Sequence, residues 1–158
     1  MDILSVQLSS TIVKLYNVIN RFEEDLIKRY DRINLSVNEM HLLEAIGKRD
    51  PAGLKELRTM SCIAEDLGIT LPSVTVAVNK LRKKGFVEKT KSPNDGRVFY
   101  VTLTRLGEKM DRFHRYFHRK IARYIVKDLS TDEKDVLLKT LTRLNFFFDK
   151  PNRSTKED

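Results

Sequence analysis

The stretch LGITLPSVTVAVNKLRKKGFVEKTKSPNDGRVFYVTLT, residues 67–104, contains the change of periodicity that decides the fold. Before Gly85 the apolar residues recur every three or four positions, as they do on one face of an α-helix. After Gly85 they alternate, in two runs separated by the turn-forming hexapeptide SPNDGR. Because alternation is typical of strands, the stretch predicts a helix followed by a β-hairpin.

Threonines and glycines mark the expected helix ends in and just before this stretch. Thr59 can cap a short helix that ends at Gly68, where glycine tolerates the left-handed conformation of a helix stop. Thr70 can cap the next helix, which has Pro72 in its first turn and runs to about Lys84. Two helices joined by a tight turn predict a helix-turn-helix.

Long amphipathic helices are predicted on both sides of this unit. Heptad-like apolar spacing predicts a first helix over residues 4–31. A capping box formed by Ser36 and Glu39 predicts a second helix that ends near Gly47. Two further helices are expected within residues 104–148, and the second of them begins at the capping box STDE.

The predicted fold class is mainly α with a small β-hairpin wing, an α+β arrangement. A winged helix-turn-helix over residues 36–103 is flanked by the long helices, in one domain over residues 1–150. The segment 48–58, which contains a proline and a glycine, is expected to be a loop with one short turn of helix. The polar residues 151–158 are expected to form a disordered tail.

Composition excludes several classes of protein. The single cysteine cannot form an internal disulfide, no signal-peptide pattern is present, and no apolar run approaches the ~18 residues of a membrane span. We therefore expect a cytoplasmic protein without membrane contact. The sequence shows no set of nucleophile, base and acid and no glycine-rich phosphate loop, so catalysis is not expected.

Positive charge is concentrated in the middle of the chain. Residues 70–127 contain 15 Lys and Arg against four Asp and Glu, whereas the remainder contains 15 against 18. A segregated positive field suits a polyanion, with nucleic acid first, an acidic protein second and an anionic membrane third. The alternative is a solvated basic surface without a partner.

The helix over residues 71–84 is predicted to be a DNA-recognition helix. On a helical wheel its apolar residues share one side, and no acidic residue occurs between Asp66 and Glu88. The other side carries hydroxyl, amide, ammonium and one exposed valine group, which can reach phosphates, base edges and a thymine methyl. These candidate DNA-binding residues are Ser73, Thr75, Val76, Asn79, Lys80 and Lys83.

The hairpin is predicted to be a wing that enters a minor groove. Arg97 at the exit of its turn can fill that groove, where A·T-rich sequence strengthens the negative potential. Asp95 is expected to hold the Arg97 guanidinium through a bidentate salt bridge and so fix its direction. The alternative is a surface turn with an incidental ion pair.

Residues 67–110 resemble the core of the MarR family of bacterial transcription regulators. The family's wing pattern, Asp-x-Arg-x-x-x-(apolar)-x-Leu-Thr, is matched by Asp95, Arg97, Val101, Leu103 and Thr104. The resemblance implies a homodimer formed by the first and the last two helices, and a regulator, expected to be a repressor, that binds a pseudo-palindromic operator in double-stranded DNA. Here the connection before the helix-turn-helix is several residues longer than is usual in the family.

The three histidines are candidate metal ligands. His114 and His118 are four residues apart and share one side of a helix, so they can bind one metal ion. Zinc-responsive members of the MarR family are similar, which implies a zinc site formed by a glutamate of the first helix, His41 and this pair. Glu23 and Glu24 are the candidate carboxylates. Zinc or another divalent transition metal is therefore one predicted effector.

Other effectors stay open. Segments around His41 and His114 are also similar to the FabT-like repressors of fatty-acid synthesis, which implies control by acyl chains on acyl carrier protein. Four basic residues on one flank of the fifth helix could dock that acidic partner: Arg112, Arg115, Arg119 and Arg123. Cys62, in the first turn of its helix, could sense oxidation, and the alternative is that it is a small apolar filler. The alternative function is a winged-helix protein-interaction module without operator specificity.

Overall fold

Six helices and three short strands make up the described part of the chain, which comprises residues 2–28, 34–50, 52–55, 57–93 and 95–149 of a computed structural model. This architecture confirms the predicted mainly α fold class with a small sheet. The predicted disordered tail and the end of the predicted first helix lie outside the described residues. The helices are α1 (Ile3–Lys28), α2 (Val37–Ile46), α3 (Met60–Leu67), α4 (Leu71–Lys83), α5 (Arg105–Val126) and α6 (Thr131–Asp149), and the strands are β1 (Arg58–Thr59), β2 (Val87–Lys91) and β3 (Phe99–Leu103).

The helix ends follow the predicted capping residues. The Ser36 amide donates to Glu39 Oε2 at 2.8 Å, while the Ser36 hydroxyl accepts from the Glu39 amide at 3.3 Å. Thr59 and Thr70 cap α3 and α4 in the same way, each by accepting a backbone amide hydrogen bond. Gly68 ends α3 with φ 61°, a left-handed conformation that an L side chain rarely adopts. These four predictions of helix boundaries are confirmed.

The sheet has one strand more than predicted. Its order is β1-β3-β2 and all pairs are antiparallel, so β3 is central and Val101 pairs with both Arg58 and Lys89. In the loop before β1, Arg49 and Lys55 form an isolated antiparallel bridge around a turn in which Asp50 Oδ1 accepts the Leu54 amide at 2.8 Å. The predicted turn of helix in this loop is therefore wrong for its described residues, because they bend into a small β-turn.

The core lies under the helix-turn-helix. Val74, Val78 and Leu81 of α4 are completely buried. They belong to one apolar cluster that also contains Leu43 of α2 and Ile63 of α3. Burying each of these side chains contributes about 1.5–3 kcal/mol. The inward face of α4 is therefore fixed, and its opposite face is displayed.

The chain divides into two compact units. The first contains the described residues up to Arg115, and the second begins at Tyr116, within the continuous helix α5. The first unit carries the helix-turn-helix and the sheet, and the second carries the end of α5 and all of α6. The prediction of a single domain over residues 1–150 stays a prediction.

Apolar side chains are exposed on both terminal helices. On α1 they include Leu8, Ile12 and Leu15, which belong to the heptad-like stripe, and on α6 they include Leu141 and Phe146. Contiguous exposed apolar surface is typical of interaction sites. Among the residues that the structure describes, no single helix is long and apolar enough to cross a membrane, and only the bent pair α3 and α4 passes by length and composition.

A close backbone approach joins the wing to α5. Thr104 follows β3 directly, and its hydroxyl donates to the Gly85 carbonyl at 2.8 Å and accepts from the Gly107 amide at 3.1 Å. The Thr104 amide donates to the Phe86 carbonyl at 3.0 Å. A Cβ atom at Gly107 would lie only 2.1 Å from that carbonyl oxygen. Glycine is therefore required at this position so that α5 can approach Phe86.

We expect Gly107→Ala to lower the free energy of unfolding by about 1–3 kcal/mol or more, because the added methyl group overlaps backbone that cannot move aside cheaply. Gly96→Ala is the matched control. The nearest atom to a Cβ there is the Lys91 Cε at 3.0 Å, at the flexible end of a side chain. Urea denaturation of both variants measures the effect, and equal midpoints would contradict the close approach.

Candidate DNA interface and metal centre

The outward face of α4 displays the predicted recognition residues. Ser73, Val76, Asn79, Lys80 and Lys83 are exposed, and the apolar side chain of Val76 is 70% accessible although it is not needed for the core. Thr75 is half-buried, and its hydroxyl donates to the Leu71 carbonyl at 2.9 Å. The structure thus brings all six residues to one helix, and five of them are exposed.

Glu39 at the start of α2 contacts two lysines of the α4 segment. Its carboxylate lies 2.8 Å from Lys84 Nζ and 3.2 Å from Lys80 Nζ. Burial raises the pKa of the Glu39 carboxyl, but the hydrogen bonds from Lys84, the Ser36 amide and Lys80 outweigh burial, and its pKa is lowered. Lys80 is therefore partly engaged inside the molecule, whereas Lys83 forms no ion pair within the described residues.

The wing turn is held by backbone contacts. The Arg97 amide donates to Asp95 Oδ1 at 2.9 Å, and the Val98 amide donates to the Asp95 carbonyl at 3.0 Å. The predicted salt bridge between Asp95 and the Arg97 guanidinium is wrong, because the carboxylate accepts from the backbone of the turn instead. Asn94 of the turn lies outside the described residues. Asp95 shapes the turn, and the Arg97 side chain is exposed.

An open groove of about 350 Å³ lies between the wing and the first turns of α3 and α4. Thr75, Lys89 and Arg97 are among its lining residues. The groove therefore places a predicted base-contacting residue of α4 beside the predicted minor-groove arginine. The roles of these two residues in DNA binding stay predictions.

Three of the predicted metal ligands converge in the first unit. Glu23 of α1 and His114 of α5 are almost completely buried, at 3% and 2% exposure. Glu23 Oε2 lies 3.7 Å from His41 Nε2, and Glu23 Oε1 lies 3.8 Å from His114 Nε2. The two imidazole rings are 5.3 Å apart. Each side chain offers a ligand atom, and these atoms lie within 4.8 Å of one another.

The donor set suits zinc. Imidazole nitrogen and carboxylate oxygen are common zinc ligands, and ligand atoms of a tetrahedral zinc lie ~3.3 Å apart. The spacings of 3.7 and 3.8 Å would need to shorten only slightly around an ion. Helix α5 is continuous, so His118, four residues after His114, is presented on the same face of that helix, one turn further along.

Glu24 is not part of this cluster. Its side chain is 57% exposed and lies 3.6 Å from Lys28 Nζ on the surface of α1. Consecutive helix positions are about 100° apart, so only one of two neighbouring glutamates can face α2 and α5. The prediction that Glu24 can serve as the carboxylate is therefore wrong for the cluster that the structure shows, and Glu23 occupies that place.

Glu44 of α2 was missed by the sequence analysis. Its Oε2 lies 2.8 Å from Nδ1 of His114, which is a hydrogen-bond distance. The available signal was the helical spacing, because Glu44 is three residues after His41 and so lies near it on α2. The sequence could not show that a residue of another helix, 70 positions away, would meet it.

The basic flank of α5 is less available than predicted. Arg115 donates to both carboxylate oxygens of the buried Asp111, at 2.9 and 2.8 Å, and to the Gly47 carbonyl. Burial raises the pKa of the Asp111 carboxyl although the hydrogen bonds from Arg115 oppose this. Arg112 lies 3.6 Å from Glu108. Two of the four candidate docking arginines are thus engaged within the chain, while Arg119 and Arg123 are exposed.

Comparison with known proteins agrees with this geometry. A model of the MarR family matches residues 33–98. An uncharacterized HTH-type transcriptional regulator of Bacillus subtilis (strain 168), YhjH, is 26% identical over 137 residues, which are 82% of this chain and 75% of that protein. The match therefore extends well beyond the helix-turn-helix.

Two solved structures extend the comparison to the fold. The structure of Streptococcus pneumoniae FabT in complex with DNA has a TM-score of 0.80 and 29% identity, and the alignment covers 91% of this chain and 96% of that one. The S. aureus MepR–DNA complex has a TM-score of 0.67 and 19% identity, covers 89% and 97% of the two chains, and supports the fold alone. The Bacillus subtilis relative is named as a transcriptional regulator, which agrees with the prediction that this chain is not an enzyme. Residues 33–98 thus match the MarR family, and the chain is similar in fold to solved winged helix-turn-helix proteins that bind DNA.

Proposed function

We propose that this regulator is a dimeric, sequence-specific repressor that binds an operator through α4 and the wing. The observation that carries the proposal is the exposed outer face of α4, which presents Ser73, Val76, Asn79 and Lys83 while its inner face is fully buried. The 29% identity to FabT, a protein with a structure in complex with DNA, supports the same reading.

The dimer is proposed to form through the exposed apolar surfaces of α1 and α6. Exposure of apolar side chains to water is unfavourable, and a second copy of the chain can bury those of Leu8, Leu15 and Leu141. Two-fold symmetry places two copies of α4 on the DNA. The operator is therefore expected to be pseudo-palindromic, with half-sites about one helical turn apart.

Zinc is the proposed effector. Glu23, His41 and His114 would hold it, with His118 from the next turn of α5 as the fourth ligand. When bound, zinc would supply a positive charge that compensates the buried Glu23 carboxylate and cross-links α1, α2 and α5. Because α2 also contacts α4 through Glu39, a change in the position of α2 can be passed to the recognition helix.

A second candidate effector is an acyl chain. An open groove of about 700 Å³ lies between α1 and α2 and has the apolar side chains of Tyr16, Ile27, Leu35 and Val37 along it, beside His41. The similarity to FabT favours this candidate, with Arg119 and Arg123 as exposed cations for acyl carrier protein. Both candidates involve His41, so measurements of metal content separate them better than mutation of that residue.

We expect Lys83→Ala to weaken DNA binding and to reduce the slope of log K against log salt by about 0.9 for each protomer, because one phosphate contact is lost. Lys80→Ala should cost less affinity, since Lys80 must leave Glu39 to reach a phosphate. Lys139→Ala, on the exposed surface of α6, is the control of equal charge. Fluorescence anisotropy with a duplex from upstream of the gene measures the DNA affinity of all three variants.

An unchanged salt slope in Lys83→Ala would contradict the proposed α4 interface. If the protein bound no duplex in a salt-dependent way, the alternative of a protein-interaction module would be favoured.

We expect Arg97→Ala to weaken operator binding about tenfold or more, chiefly for duplexes with A·T-rich flanks, because the side chain fills the narrow minor groove there. Asp95→Asn should bind almost as the wild type does, since an amide oxygen can still accept from the Arg97 backbone. Gel-shift titrations with A·T-rich and G·C-rich flanks test this. If Asp95→Asn lost as much affinity as Arg97→Ala, the carboxylate charge would have a direct role and the assignment of Asp95 to the turn would be wrong.

We expect the purified protein to bind about one zinc ion per protomer and to change its DNA affinity when zinc is added. Glu23→Gln should lower the zinc content and Glu24→Gln should not, because only Glu23 faces the histidines. Metal analysis after dialysis and anisotropy with and without zinc measure both. Less than about 0.2 zinc per chain, with no effect of zinc on DNA binding, would exclude this effector and favour the acyl chain.

A further inference from the structure

We propose that Glu44 is a positioning residue for His114 and that it determines which nitrogen of this imidazole faces the proposed metal site. The inference rests on the proposed zinc site. It adds a residue outside the set of direct ligands and gives α2 a second point of control over the cluster.

The hydrogen bond to Glu44 defines the tautomer of His114. Oε2 of Glu44 lies 2.8 Å from Nδ1, and a carboxylate can only accept, so Nδ1 carries the proton. Nε2 is the other nitrogen of the ring, and it lies 3.8 Å from Oε1 of Glu23. Nε2 therefore faces the cluster, while Nδ1 faces Glu44.

Glu44 is not itself a ligand in this arrangement. It contacts Nδ1, whereas Glu23 lies nearest to Nε2, and its side chain is 37% exposed whereas that of His114 is 2% exposed. A carboxylate that accepts from the second nitrogen of a metal-binding histidine fixes the ring and makes the first nitrogen a better donor. Removal of such a partner usually costs ~10–100-fold in metal affinity.

Helix α2 holds the His114 ring from two sides. Glu44 bonds to Nδ1, and the ring of His41, three residues earlier on α2, lies 5.3 Å from the His114 ring. The orientation of His114 on α5 therefore depends on the position of α2. The first turn of α2 also contacts Lys80 of α4 through Glu39, so the Glu44 hydrogen bond connects the cluster to a helix that touches α4.

The first test uses the metal-free protein. Long-range ¹H–¹⁵N NMR spectra are expected to show His114 as the Nδ1–H tautomer in the wild type and in Glu44→Gln, which keeps an acceptor oxygen. In Glu44→Ala the tautomer should become mixed or reverse. Thermal unfolding of each variant checks that it folds, which the partial exposure of Glu44 favours.

The second test measures zinc affinity by competition with a chromophoric chelator. Glu44→Ala is expected to bind zinc about 10–100-fold more weakly than the wild type, Glu44→Gln less so, and the control Glu24→Gln as the wild type does. If Glu44→Ala keeps both the wild-type tautomer and the wild-type zinc affinity, the inference is wrong. If the wild type binds no zinc, the proposed zinc function fails, and the NMR result in the metal-free protein still decides whether Glu44 positions His114.

Discussion

A buried carboxylate must be given a partner, and this requirement organises the first unit. Glu23, Glu39 and Asp111 are each more than nine-tenths buried. Leaving such a charge without compensation would cost several kcal/mol, which is a large part of the stability of a small domain. Each one therefore meets a cation or an imidazole: Glu23 meets two histidines, Glu39 meets two lysines, and Asp111 meets Arg115.

Helix α2 is involved in all three contacts. It carries Glu39 at its first turn, His41 next, and it is followed by Gly47, whose carbonyl accepts from Arg115. A ten-residue helix thus makes polar contacts with α1, α4 and α5. Since two of these contacts belong to the candidate effector cluster and one to the α4 segment, both sites depend on the same short rigid element. The connection is physical and contiguous, and the coupling across it is open to measurement.

Local signals in the sequence were sufficient for most of the fold, because caps, stops and periodicity depend on residues that are close together in the chain. The helices begin and end at the residues predicted to cap them, namely the N-caps Ser36, Thr59 and Thr70 and the C-cap Gly68. The third strand was missed because two residues without alternation carry no periodic signal, and its existence depends on pairing with a strand more than 40 positions away. The site shows the same limit. Residue spacing and the family resemblance were sufficient to predict the histidines and Glu23 as candidate ligands. The partner of Asp95 and the role of Glu44 could not be predicted, because they depend on side-chain contacts that periodicity does not encode.

The junction at Thr104 has a mechanical consequence. The central strand of the sheet passes into α5 through this one residue, and its amide and hydroxyl both donate to carbonyls of the segment that follows α4. Because the connection is so short, β3 and α5 are expected to move together, as one rigid body that pivots at the Phe86 carbonyl. A small tilt of α5 would swing the tip of the wing through a larger arc, because the tip lies a full strand length from the fulcrum. Gly107 has no side chain and so allows α5 to lie close to Phe86. The distance between α5 and Phe86 therefore affects where the tip of the wing lies.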